Sequence, residues 1–161
     1  MTHRRSFLIA CGALLGMGAM PALGKDGLTV TRLAEQSVEI VRETIEELTA
    51  VELNSPYQLG HGGQGSSYKG PLLWTVLERS KLLEGMGPHD RVAKIVRVTG
   101  GDGYVVALAL GEIDPEFGGK QVILAYLRDG ERLSNGELRL IVPSERRGGR
   151  SVRNVVRIEL R

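Results

Sequence analysis

Residues 138–160, LRLIVPSERRGGRSVRNVVRIEL, carry the reading that decides the fold. Leu138–Val142 is a short apolar run rich in β-branched residues, the pattern of a buried strand. Pro143 ends it, because proline brings no N–H to a ladder. A Gly-Gly loop follows, loaded with Arg146, Arg147, Arg150 and Arg153, and Val155–Leu160 is a second β-like run. Two strands that carry a cationic loop to one rim make a candidate anion site, since the guanidinium fork matches phosphate and carboxylate. A solvated basic loop produces the same pattern with no ligand.

The chain has 161 residues, 25% charged and 42% hydrophobic, which suits one globular domain. Aromatics are only 4%, so the core must be built from Leu, Val and Ile. Residues 1–24 read as a secretory signal: Arg4 and Arg5 open it, Phe7–Ala19 is apolar and small, and Ala22-Leu23-Gly24 offers a cleavage site. Residues 25–161 are then the domain, expected in the periplasm or outside the cell. The order Arg4-Arg5-Ser6-Phe7-Leu8 resembles a twin-arginine signal, the route for folded cargo, and an ordinary basic leader fits it equally. No segment after residue 24 is apolar for long enough to cross a bilayer, so no membrane contact is expected after cleavage. Cys11, the one cysteine, lies in the leader. Its surroundings fit a lipoprotein box poorly. The mature chain therefore has no disulfide, thiolate ligand or cysteine nucleophile to offer.

The formal net charge is +2, and losing Arg4 and Arg5 with the leader brings it to zero. The charge is unevenly placed: six glutamates against Arg42 in Glu35–Glu52, six arginines against Glu159 in Arg146–Arg161. A neutral total without aromatic–basic platforms argues against nucleic acid as a partner. The separated charges suit docking to a periplasmic protein, or two solvated faces.

In chain order, Leu28–Val41 reads as one or two short strands. Thr44-Ile45-Glu46-Glu47 has the capping-box pattern, predicting a helix over Ile45–Ala50. Val51–Leu59 reads as a strand. The run Gly60–Ser67 contains His61 but lacks the Gly-Lys-Ser/Thr ending of a nucleotide loop, and two mature histidines without spacing make no metal motif. Pro71–Leu83 is predicted as the main helix, with Leu72, Leu73, Val76 and Leu77 as its apolar stripe and Trp74 at the border. Val92–Leu110 reads as a hairpin turning at Asp102-Gly103, and Val122–Leu127 as a further strand. Turns are predicted at Glu112–Pro115, Asp129-Gly130 and Ser134–Gly136. The order is α+β with a mixed, largely antiparallel sheet and a few short helices. Hydrolase signatures are absent: the chain holds neither G-x-S-x-G nor H-E-x-x-H.

Tyr68–Trp74, Val98–Tyr104, Glu112–Pro115, Asp129–Leu133, Leu138–Pro143 and Val152–Val155 together resemble, in order and spacing, the oxidoreductase molybdopterin-binding domain of the sulfite oxidase type. The likeness runs from about Thr44 to the C-terminus and is nearest to short secreted bacterial members. It implies a sulfite oxidase-type molybdopterin-binding fold and a molybdenum–pterin cofactor. It also implies a metal-ligating cysteine on the loop before the glycine matching Gly70, at a position falling near Tyr57 or Gln58. Neither is a thiolate, so the family's metal ligand is missing and sulfite-oxidase-type oxo transfer is not expected. The expected partner is an anionic small molecule or a pterin, with Arg146, Arg147, Arg150, Arg153 and His61 as candidate binding residues. The alternatives are an oxidoreductase whose metal is held by the pterin alone, near His61 or Tyr57, and a periplasmic adaptor.

Overall fold

The computed structural model describes residues 27–32, 36–55, 65–145 and 147–161. Residues 1–26, which include the expected leader, and Tyr57, Gln58, His61 and Arg146 lie outside the described residues. In chain order the elements are β1 (Gly27–Arg32), β2 (Gln36–Val41), α1 (Arg42–Glu47), β3 (Ala50–Ser55), β4 (Ser66–Pro71), α2 (Leu73–Arg79), α3 (Pro88–Val92), β5 (Ile95–Gly100), β6 (Val105–Ala109), α4 (Leu110–Ile113), β7 (Ile123–Ala125), β8 (Leu127–Arg128), β9 (Glu131–Arg132), β10 (Arg139–Ile141) and β11 (Val155–Leu160). The architecture is α+β, dominated by antiparallel pairing.

The largest sheet has the order β2-β1-β11-β5-β6. The C-terminal strand enters its middle, parallel to β1 and antiparallel to β5. One face carries Leu28, Val30, Ile40, Val96, Val98, Val106, Leu108, Ile158 and Leu160, all buried under α2 and its neighbours. Each such side chain contributes roughly 1.5–3 kcal/mol by leaving water, so this aliphatic layer supplies most of the driving force. A second sheet, β3-β4-β8-β9, and a ribbon, β10-β7, complete the fold.

The ribbon separates two cores. Leu124 and Leu140 face one another across β7 and β10 and point into the large core. The residues beside them, Ile123 and Ala125 on β7 and Ile141 on β10, point the other way, into a small core with Tyr68. Arg139, two residues before Ile141, shares that second face and is itself buried. The chain changes sheets at Tyr126: β7 pairs with β10, while β8 pairs with β4. At this corner β4 passes so close to β7 that a Cβ on Gly70 would lie 2.1 Å from the Leu124 carbonyl oxygen. The corner therefore requires glycine.

Several sequence expectations are corrected here. The helix at Thr44 begins earlier, at Arg42, because β2 runs straight into it and Val41 takes the extended N-cap conformation with no side-chain cap. An Arg42–Glu46 ion pair at 2.6 Å braces that helix instead. Pro71 is not in a helix: it ends β4 opposite Ala50, and α2 starts at Leu73. Gly87-Pro88 opens α3, with the Asp90 carboxylate accepting the Gly87 N–H at 3.3 Å. The strand expected over Val122–Leu127 is broken at Tyr126 by the sheet change. The hairpin β5–β6 and the turns at Asp129-Gly130 and Asn135-Gly136 form as expected, with positive φ at all four of these turn residues.

Candidate functional site

The arginine-rich loop does not behave as one cationic rim. β10 and β11 join different sheets, and their segments are linked by a bridge from Leu140 to Val152, just before β11, and by the Val155 N–H donating to the Leu138 carbonyl at 2.8 Å. Arg150 is fully engaged. Its Nε donates to Glu145 at 2.6 Å, and its two terminal nitrogens donate to the Glu112 carboxylate at 3.2 and 3.1 Å. Lys120 adds a third contact to Glu112 at 2.8 Å. Hydrogen bonds to Glu112, then to Glu145, raise the Arg150 pKa above its ordinary value. Arg150 thus fastens the loop to α4, and Tyr104, just before β6, also holds it by donating its hydroxyl to the Gly149 carbonyl at 2.5 Å. Arg147 and Arg153 are exposed on the surface, and Arg146 and His61 lie outside the described residues.

Partial burial tends to raise the Glu112 pKa, but the hydrogen bonds and charges of Arg150 and Lys120 outweigh it and hold the carboxyl below the ordinary 4.5. A lowered folded-state value gives stability that is present above the unfolded value and lost as pH falls through the folded one. Glu112→Gln is therefore expected to flatten the decline in melting temperature below pH 4.5 and to cost stability near neutrality, which thermal melts across pH measure. An acid limb as steep as that of the wild type would contradict this role.

The unusual cation is one that the sequence reading passed over. Arg139 sits in the middle of buried β10, 7% exposed. Its Nη1 donates to the Tyr68 hydroxyl at 3.2 Å, and its guanidinium lies 5.8 Å from the Tyr68 ring centroid. Its Nε is buried with no hydrogen-bond partner, and no carboxylate among the described residues pairs with it. A guanidinium cannot shed its proton, so this buried charge has the Tyr68 hydroxyl and ring beside it and no carboxylate partner among the described residues.

The surroundings are polar on one side. β4 turns Ser66 and Tyr68 inward, and Ser55 faces Ser66 across the ladder. Arg128 on β8 donates its Nε to the Ser66 hydroxyl at 3.0 Å and pairs with Asp129 at 3.2 Å. Ser55 and Ser66 thus lie where β3 ends and β4 begins, with Arg128 on Ser66, while Arg139 joins Tyr68 two residues further along β4. Residues 56–64, with His61, connect those two strand ends and lie outside the described residues. Arg139 had one visible signal: it is the lone charge in an otherwise apolar run from Leu138 to Val142.

No protein-family model matches the sequence, and no curated protein is similar to it. Among solved structures, the chain is similar to the sulfane dehydrogenase SoxCD from Paracoccus pantotrophus, with a TM-score of 0.62 and 18% identity over 86% of this chain. The fold is shared with part of an oxidoreductase. The chain spans 39% of the SoxCD chain it matches, so the likeness concerns one portion of that protein.

The donor set fits one end of a pterin cofactor and not the other. A buried guanidinium with a free Nε, beside the Tyr68 hydroxyl, suits the phosphate of such a group. The described residues contain no cysteine, and no cluster of His, Cys, Asp or Glu among them has the composition to hold a metal ion. No step through molybdenum is derived for this chain.

Proposed function

We propose that the domain binds a phosphate-bearing or similarly anionic small molecule, a pterin among the fitting candidates, and lacks sulfite-oxidase-type catalysis. We further propose that it works in the periplasm or outside the cell, as its leader implies. The observation that carries the binding role is Arg139: a buried guanidinium whose Nε has no hydrogen-bond partner, with no carboxylate beside it among the described residues, costs several kcal/mol unless an anion compensates it. Bound there, an oxyanion accepts from the vacant Nε beside the Tyr68 hydroxyl. The absence of a protein thiolate in the mature sequence supports binding without metal-centred turnover.

Calorimetric titration with inorganic phosphate and with sulfate tests this reading. Arg139→Met is expected to weaken binding at least tenfold, the loss of about 1.4 kcal/mol or more for one charge-assisted contact. Arg147→Ala is expected to leave the affinity within about twofold, since an exposed cation contributes little. The reverse pattern would move the site to the loop. Equal affinity in all three proteins would remove it altogether.

A further inference from the structure

Among the described residues β6 is a free edge of the five-stranded sheet, and its sequence, Val105-Val106-Ala107-Leu108-Ala109, carries no charge. Exposed edges are normally guarded by a lysine, a proline or a bulge, because their open N–H and C=O groups invite another strand. β6 has none of these, and its register with β5 is unbroken. In the hairpin, Gly100 donates to Tyr104 at 2.8 Å and Leu110 to Lys94 at 2.9 Å. Antiparallel alternation between those bonded pairs turns the N–H and C=O groups of Val105, Ala107 and Ala109 toward the open edge. The same three residues place their side chains on the exposed face.

Exposed apolar side chains collect around this strand. Tyr104 and Val105 stand at its start, and Ile95 lies opposite Ala109 at its end. Val92 lies beside Gly111 just beyond, and Phe117 sits in the turn whose Gly118 N–H donates to Gly111. Of the large hydrophobics exposed among the described residues, only Val41 lies elsewhere, on β2.

We propose that β6 pairs with β6 of a second copy of the chain, antiparallel about a two-fold axis at Ala107. The strand is self-complementary in that register. Ala107 meets its own counterpart, Val105 meets Ala109 and Val106 meets Leu108, so no like charges oppose and both buried faces stay on one side of a continuous sheet. The outward groups of Val105, Ala107 and Ala109 each exchange two hydrogen bonds with their opposites. A stable contact buries at least about 1,000 Å², more than a strand of this length supplies, and the exposed Tyr104 and Phe117 beyond its two ends are the apolar surface that completes it.

Sedimentation velocity across the micromolar range tests the proposal on the full chain. The wild type is expected to show a dimer that grows with concentration. Ala107→Lys, which sets two ammonium groups against each other on the axis, is expected to weaken it at least tenfold with an unchanged circular dichroism spectrum. Should that variant fail to fold, Val105→Glu, off the axis and on the same exposed face, gives the same reading. A wild type that stays monomeric throughout overturns the proposal and leaves the edge to an unlike strand. A dimer that survives both substitutions overturns it as well, by placing the contact on another surface.

Discussion

Arg139→Met is expected to raise the melting temperature of the unliganded protein and to lower that of the protein in phosphate. Removing a buried cation with no counter-ion among the described residues relieves its desolvation, and methionine fills the aliphatic stem's volume beside Ile141 and Ala125. The loss of the Tyr68 contact offsets part of this gain, by about 1 kcal/mol for one hydrogen bond. The net expectation is about 1 kcal/mol in favour of the variant, or roughly 3 °C for a domain of this size. Ligand reverses the order. At a phosphate concentration a hundred times its Kd, linkage stabilises the wild type by about 2.7 kcal/mol, and the variant gains little. Differential scanning fluorimetry with and without phosphate reads both signs. A variant that is less stable in both conditions would make Arg139 a structural residue held by Tyr68 alone.

Gly70→Ala is expected to cost about 3 kcal/mol, near a 9 °C fall in melting temperature. The added methyl would lie 2.1 Å from the Leu124 carbonyl oxygen and 2.6 Å from Ala125 Cα. Both are backbone atoms of the strand that changes sheets at Tyr126, so neither moves without pulling β7 from β10 or β8 from β4. Gly149→Ala is the control. Nothing lies within 4 Å of a Cβ there, and its stability should stay within about 0.5 kcal/mol of wild type. Equal effects at the two positions would mean that the corner is not tightly packed. The Gly70 substitution also bears on the site: the corner sets the distance between Tyr68 on β4 and Arg139 beside Ala125.

Much of the fold was legible because its signals are local. Val155–Leu160 and Leu138–Val142 announce strands by β-branched runs, and Asp102-Gly103 and Asp129-Gly130 announce turns by residues that accept positive φ. What was not legible depends on contacts between distant segments. Pro71 suits a first helical turn as well as it suits a strand end, and only pairing with Ala50 decides between them. The break at Tyr126 follows from two sheets meeting, which no window of sequence contains. The pairing of the loop's charges was not legible for a similar reason. Arg150 looks like its neighbours on paper, but Glu112, 38 residues earlier, neutralises it. Arg139 looks like a stray charge in a strand, and its importance appears only once β10 proves buried on both faces.

The most direct test of the central claim is the phosphate-ligand and metal content of the protein purified from the periplasm of a host that makes molybdenum–pterin cofactor. Mass spectrometry under native conditions, with elemental analysis of the same samples, reads both. The expected result is an anionic small molecule retained by the wild type and lost from Arg139→Met, with molybdenum far below one atom per chain. Stoichiometric molybdenum in the wild type, or the same ligand content in both proteins, would contradict it.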